Sequence, residues 1–188
     1  MKTEIEKMRA GELYSFRDPE VDASIRRARR LCAQLNAIGM EHEDYRNVLE
    51  ELIPGVPPSS AIAPPFICDH GHGIVLGEDT FINYGATILD GAFVRIGNRV
   101  KIGPNCQIYT PQHPFDYKER REPVETDLPV SIGDDTWIGG GVVICPGVSI
   151  GKRCIIGAGS VVTRSIPDDC LAAGNPAQVK RRLDDAKE

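Results

Sequence analysis

The sequence predicts a mainly β fold, a parallel β-helix, preceded by a small helical segment. Three observations predict it. Within residues 74–110 and 130–163 an aliphatic residue recurs at every sixth position: Leu76, Ile82, Ile88; Ile96, Ile102, Ile108; Ile132, Ile138, Ile144; Ile150, Ile156, Val162. Glycine follows most of these residues, as at Gly77, Gly97, Gly103, Gly133, Gly139, Gly151 and Gly157. The first 52 residues carry a helical period instead. A strict period of six fits neither an α-helix nor a simple hairpin, and a short fixed repeat marks a solenoid.

The repeat has a geometric meaning. Each hexad is a short strand plus a corner, with one aliphatic side chain pointing inward. Three hexads close a triangular coil, and four coils at strand spacing give a prism roughly 19 Å tall. Each coil buries its inner face only against its neighbours. Glycine, with Asn98, Asn105, Asp134 and Asp135 nearby, is expected to supply backbone freedom at the corners.

Composition excludes several classes. With 188 residues and 41% apolar content, the chain fits one ordinary globular domain with an appendage. A net charge of −5, from 22 basic and 27 acidic residues, argues against a nucleic-acid surface. No apolar run is long enough to span a membrane. The opening MKTEIEKM carries acids and no apolar stretch, so no secretory signal is expected. The six cysteines show no CxxC spacing and are expected to be reduced thiols of a cytoplasmic protein.

In chain order, Glu4 to Ala10 is a short charged turn closed by Gly11. Asp18-Pro19-Glu20 reads as a helix start, with Asp as N-cap and Pro at the first helical position. Val21, Ile25, Ala28, Cys32, Leu35 and Ile38 then form an apolar stripe that stops at Gly39. A further helix runs from about His42 to Leu52, with Tyr45, Val48, Leu49 and Leu52 on one face. Pro54 to Ser60 is rich in breakers, so the helical domain is drawn as 1–58 and the β-helix domain as 59–188. Between Ile88 and Ile96 the spacing is eight, which predicts a bulged corner at Asp90-Gly91. Residues 111–129 lack the repeat and read as a loop thrown out from the prism. After Val162 the pattern ends, and Gln178 to Ala186 are expected to form a short helix.

The hexads resemble the hexapeptide acyltransferase superfamily, whose fold is a left-handed parallel β-helix. Ala10-Gly11-Glu12-Leu13-Tyr14, the arginine-rich helix from Asp18 and the phrase Ala173-Gly174-Asn175-Pro176-Ala177 are similar to the maltose and galactoside O-acetyltransferases. The resemblance covers the chain from about residue 4 to its C-terminus. It implies acetyl-CoA as co-substrate, a sugar hydroxyl as acceptor, no metal, and a homotrimer with active sites between prisms.

Such a transfer requires a base for the hydroxyl proton, donors for the oxyanion and a groove for the thioester. His113, followed by Pro114, matches the family's catalytic histidine. Its orienting partner stays open between Glu122, Glu125 and a backbone carbonyl. Asn83 matches an asparagine that positions the acetyl group or the oxyanion, and otherwise reads as a plain corner residue. Asp18, Asp69 and Asp90 are candidate acceptor carboxylates, although Asp18 also suits a helix cap. Trp137 either lines the groove or packs at a subunit face. Gly140, Ala158, Thr163, Arg164 and Arg181 fall at positions resembling coenzyme A contacts, the arginines facing phosphates. Arg26, Arg27, Arg29 and Arg30 read as a solvated helix face or as an attraction for those phosphates. His70-Gly71-His72 offers two metal-ligand types, but it precedes the coils and has no metal-binding counterpart in the family. Two other readings remain: an acetyltransferase for another acceptor such as an antibiotic, and a catalytically silent β-helix.

Overall fold

The computed structural model describes residues 2–183. Three helices come first: α1 (Glu4–Arg9), α2 (Pro19–Ile38) and α3 (Tyr45–Leu52). Thr3 and Glu6 form a reciprocal capping box on α1. Asp18 caps α2 by accepting the Glu20 and Val21 amides, Pro19 holds its first position, and Gly39 ends it at φ 74°. The expected stripe is buried at Val21, Ala28, Cys32 and Leu35, with Leu31 added, and α3 buries Tyr45, Val48, Leu49 and Leu52.

The rest winds as a parallel β-helix with three faces. The first face stacks Ile74–Leu76, Val94–Ile96, Val130–Ile132 and Ser149–Ile150. The second stacks Ala61–Ile62, Phe81–Ile82, Lys101–Ile102, Trp137–Ile138, Ile155–Ile156 and Cys170–Gly174. The third stacks Phe66–Cys68, Ala86–Leu89, Gln107–Tyr109, Val143–Ile144 and Val161–Val162. The hexad aliphatics are the inner columns: Leu76, Ile96, Ile132 and Ile150 are in register, as are Ile82, Ile102, Ile138 and Ile156, and Ile88, Ile108, Ile144 and Val162. All are at most 6% exposed, so one continuous apolar column fills the prism.

The coils extend beyond the expected four at both ends. Ala61–Cys68 already pairs with the next coil, and Ile166 and Cys170–Gly174 continue the winding. Phe66, Cys68 and Ala172 stand there in place of branched aliphatics, which hides the period. The expected C-terminal helix is corrected over its described part: Ala177–Arg182 is a strand antiparallel to Cys170–Gly174. That hairpin closes the last coil's open edge. The remainder of the expected helix lies outside the described residues.

The other edge is covered by the helical segment. The Tyr45 hydroxyl donates to the Ile62 carbonyl at 2.7 Å and accepts the Ile62 amide at 3.0 Å. The Asn36 carboxamide does the same for Phe66, at 2.9 and 2.8 Å. These side chains supply the hydrogen bonds that another coil would have made. One apolar cluster runs from Leu31, Leu35 and Leu52 into Ile62, Phe66 and the prism interior. Among the described residues, no helix is long and apolar enough to cross a membrane.

The corner glycines act differently from expectation. Gly97, Gly133 and Gly139 do not have positive φ; left-handed backbone falls two residues later, at Arg99, Asp135 and Gly141. What Gly139 provides is close approach, since a Cβ there would meet the Ala158 amide nitrogen at 2.6 Å and its Cα at 2.9 Å. Gly139→Ala is therefore expected to cost about 1–3 kcal/mol, as overpacking against backbone does, and to lower the urea midpoint without changing its slope.

Candidate active site

The corners sort the site residues into two groups. The edge between the third and first faces carries Asp69, Asp90, the excursion after Thr110, and Thr163-Arg164. The edge between the second and third faces carries Asn83, Gly140 and Ala158. Trp137, 56% exposed, and Arg181 belong to the second face. In one chain His113 and Asn83 thus stand at different edges of the prism.

The excursion at 111–129 is an ordered hairpin. Pro111–Gln112 pairs antiparallel with Val124–Asp127, which pairs in turn with Tyr14–Ser15 from the N-terminal segment. The central strand carries Glu125. Its Oε2 lies 3.6 Å from His113 Nδ1, and its Oε1 accepts the Tyr14 hydroxyl at 2.6 Å. Phe16 meets the His113 ring edge-on, with centroids 6.1 Å apart. Phe16, Asp22, Ile25, Arg29, His113 and Glu125 together line an open cleft of about 410 Å³. The imidazole is half exposed to this cleft, with side-chain exposure of 55%.

Of the two candidate glutamates, Glu125 is the one beside the ring, with a side chain only 16% exposed. Glu122 lies exposed outside that strand. Sequence reasoning gave Tyr14, Phe16, Asp22 and Ile25 no place at the site, and read Arg29 as a solvated helix face or a phosphate partner. The phrase Leu13-Tyr14-Ser15-Phe16 alternates like a strand, and that was its only local signal.

Two of the three candidate acceptor carboxylates are corrected by geometry. Asp90 is fully buried and accepts the His70 amide at 2.8 Å through Oδ1 and the Gly73 amide at 2.9 Å through Oδ2. It organises the loop beneath the cleft and presents no atom to an acceptor. The bulge it belongs to makes room for Asp127: a Cβ at Gly91 would lie 2.3 Å from Asp127 Oδ1. Asp18 is used as the α2 cap and does not line the cleft, whereas Asp22, one turn later, does. Asp69 is half-buried. Burial, and the neighbouring Asp90, Glu125 and Asp127 charges, push its carboxyl up to about 6, against a pull from Arg29.

His70 and His72 are joined by Ser24, whose hydroxyl lies 2.8 Å from His70 Nδ1 and 2.9 Å from His72 Nε2. Arg9 Nη2 donates to His72 Nδ1 at 2.7 Å, so the proton of that ring sits on Nε2. Arg9 also donates to the Asp90 and Gly91 carbonyls at 2.6 and 2.7 Å. Burial, with Arg9 and His72 against Asp90, pushes His70 down to about 4. This pair ties α1 and α2 to the loop after Cys68.

The chain matches two family models: residues 7–57 the "maltose acetyltransferase hexapeptide capping motif" and residues 129–164 the "bacterial transferase hexapeptide (six repeats)". It is 34% identical to the galactoside O-acetyltransferase of Escherichia coli, over 96% of this chain and 89% of that protein. A maltose O-acetyltransferase structure from Clostridium difficile superposes with a TM-score of 0.94 at 39% identity, covering 97% of this chain and 98% of that one. A hexapeptide-repeat acetyltransferase from Vibrio cholerae, complexed with acetyl coenzyme A, gives 0.90 at 39% identity, over 97% and 99%.

The Asp69 carboxyl gives a pH test. Its folded-state pKa lies above the ordinary 3.8, so the folded protein holds that proton more tightly than the unfolded chain. The corresponding stability is present at low pH and is lost as pH rises through about 6. Asp69→Asn is expected to match the parent's melting temperature near pH 3, below the unfolded value, and to exceed it by about 2–6 °C at pH 8. Thermal unfolding at the two pH values checks this; an equal offset at both would contradict it.

Proposed function

The chain belongs to the maltose/galactoside O-acetyltransferase family and is an acetyl-CoA-dependent acetyltransferase, and on that premise we propose that it acetylates a hydroxyl of a sugar, with His113 as general base. The observation that carries the proposal is the cleft itself. A half-exposed imidazole, with Glu125 behind its Nδ1, opens onto about 410 Å³ of mixed apolar and charged surface. Phe16 and Ile25 offer an apolar wall for sugar C–H groups, and Asp22 and Arg29 offer partners for hydroxyls.

In this reading Glu125 holds the proton on Nδ1, which leaves Nε2 free to take the acceptor's hydroxyl proton. The oxygen attacks the thioester carbonyl, forming the C–O bond as the C–S bond breaks. The proton on His113 then passes to the departing thiolate. Asn83 steadies the acetyl oxygen. Gly140, Ala158 and Thr163 border the coenzyme, and Arg164 and Arg181 meet its phosphates.

The two-edge arrangement supports assembly as a homotrimer. His113 and its cleft stand at one edge, while Asn83, Trp137, Gly140 and Ala158 stand at or beside another. A neighbouring prism brings the second set to the first, with the 1–58 domain shaping the acceptor side and the 59–188 domain the coenzyme side. We place the enzyme in the cytoplasm, where acetyl-CoA is available and its six free thiols stay reduced.

The test is thiol release from acetyl-CoA with maltose, glucose, a galactoside and chloramphenicol as acceptors. Sugar-dependent release is expected, and His113→Ala should lower kcat/KM by about 100-fold or more. Release with chloramphenicol alone would assign the cleft to an antibiotic; release with none would assign the enzyme an acceptor outside these four.

A further inference from the structure

Tyr14 is a buried polar group behind the cleft, and three observations converge on it. It is 3% exposed, packed with Met8 and Val21, so it touches no acceptor. Its strand residue is paired directly with Glu125. Its hydroxyl donates to Glu125 Oε1 at 2.6 Å, the length of a hydrogen bond to an ionised oxygen.

We infer that Tyr14 is a positioning residue for acyl transfer, pinning one Glu125 oxygen so that the other is held toward His113 Nδ1. This rests on the reading of His113 as the base.

The geometry explains why the pin matters. The Glu125–His113 separation of 3.6 Å is longer than a hydrogen bond, so the contact must close when the acceptor arrives. A glutamate rotates freely about its side chain. With Oε1 anchored, only a small swing of Oε2 remains, and it is aimed at the ring.

The surroundings keep Tyr14 a donor. Burial, with Asp127 and Glu125 beside it, pushes its phenol far above the ordinary range. Asp127 lies fully buried two residues along the same strand, with Thr110 Oγ1 2.6 Å from Oδ1. Its Oδ2 has no partner in bonding geometry among the described residues, although the Tyr14 hydroxyl lies against the carboxyl. Burial raises Asp127 too, with Glu125 adding to the rise and Thr110 and Tyr14 opposing it. Thr110 already donates to Asp127 Oδ1, and the tyrosine's single proton goes to Glu125 Oε1.

The N-terminal strand thus serves the base from both sides, with Tyr14 on the glutamate and Phe16 against the imidazole.

The test compares Tyr14→Phe, Glu125→Gln, their double variant and His113→Ala in the full chain. Tyr14→Phe keeps the ring and removes one hydroxyl. It is expected to lower kcat by about tenfold, the loss of one charge-assisted hydrogen bond, with KM for acetyl-CoA and acceptor changed less than about twofold. In the Glu125→Gln background the same substitution should add less than about a twofold loss, because the two residues act as one unit. Nitrogen NMR shifts of the His113 ring should report the Nδ1–H tautomer in the parent and its loss in Tyr14→Phe. A merely structural role would leave the tautomer intact and make the two kcat losses multiply, and either result overturns the inference. Full activity in His113→Ala would sink the base reading and this inference with it. Loss of activity there, alongside an unchanged kcat in Tyr14→Phe, would sink this inference alone.

Discussion

The structure depends on how closely one coil lies on the next. Strands about 4.8 Å apart leave room for one inward side chain per hexad and for nothing at the corner that follows. Gly139 is held to glycine by the Ala158 backbone, and Gly97 by Asp134. The same spacing sets Ile82, Ile102, Ile138 and Ile156 in one column. A prism packed this way has no interior for a ligand. Function is therefore added where the winding is interrupted.

The interruptions cluster at one edge. The loop from Asp69 to Gly73, the bulge at Asp90-Gly91 and the hairpin after Thr110 all leave the same corner, on successive coils. Each would leave backbone groups unpaired in a buried place, which is costly. Polar side chains satisfy them: Asp90 takes two amides, Arg9 takes two carbonyls, and Thr110 Oγ1 takes the Ala92 amide. Buried carboxylates gathered for that purpose also lie behind the cleft, and burial, with repulsion from neighbouring carboxylates added, raises Asp69 and Asp127.

The helical segment has two tasks in this arrangement. Through Tyr45 and Asn36 it ends the β-helix, meeting the hydrogen bonds of the first coil. Through the strand Tyr14–Ser15 it widens the hairpin to three strands and brings Tyr14 and Phe16 to Glu125 and His113. One short segment thus contributes both to stability and to the wall of the site.

Repeats are legible in sequence because their constraint is local and periodic. The hexads marked the twelve inner positions, and Asp18-Pro19 and Gly39 marked the ends of α2, without reference to anything distant. His113 stood out by its resemblance, with Pro114, to the family's catalytic histidine, at the start of an interruption. The first and last coils were hidden where Phe66, Cys68 and Ala172 fill volume that branched aliphatics fill elsewhere. The partners at the site were decided only by tertiary structure. Tyr14 and Glu125 are 111 residues apart and meet through strand pairing, which no local period records. Asp18 and Asp90 looked available to an acceptor because a sequence does not show which carboxylates the backbone has already claimed.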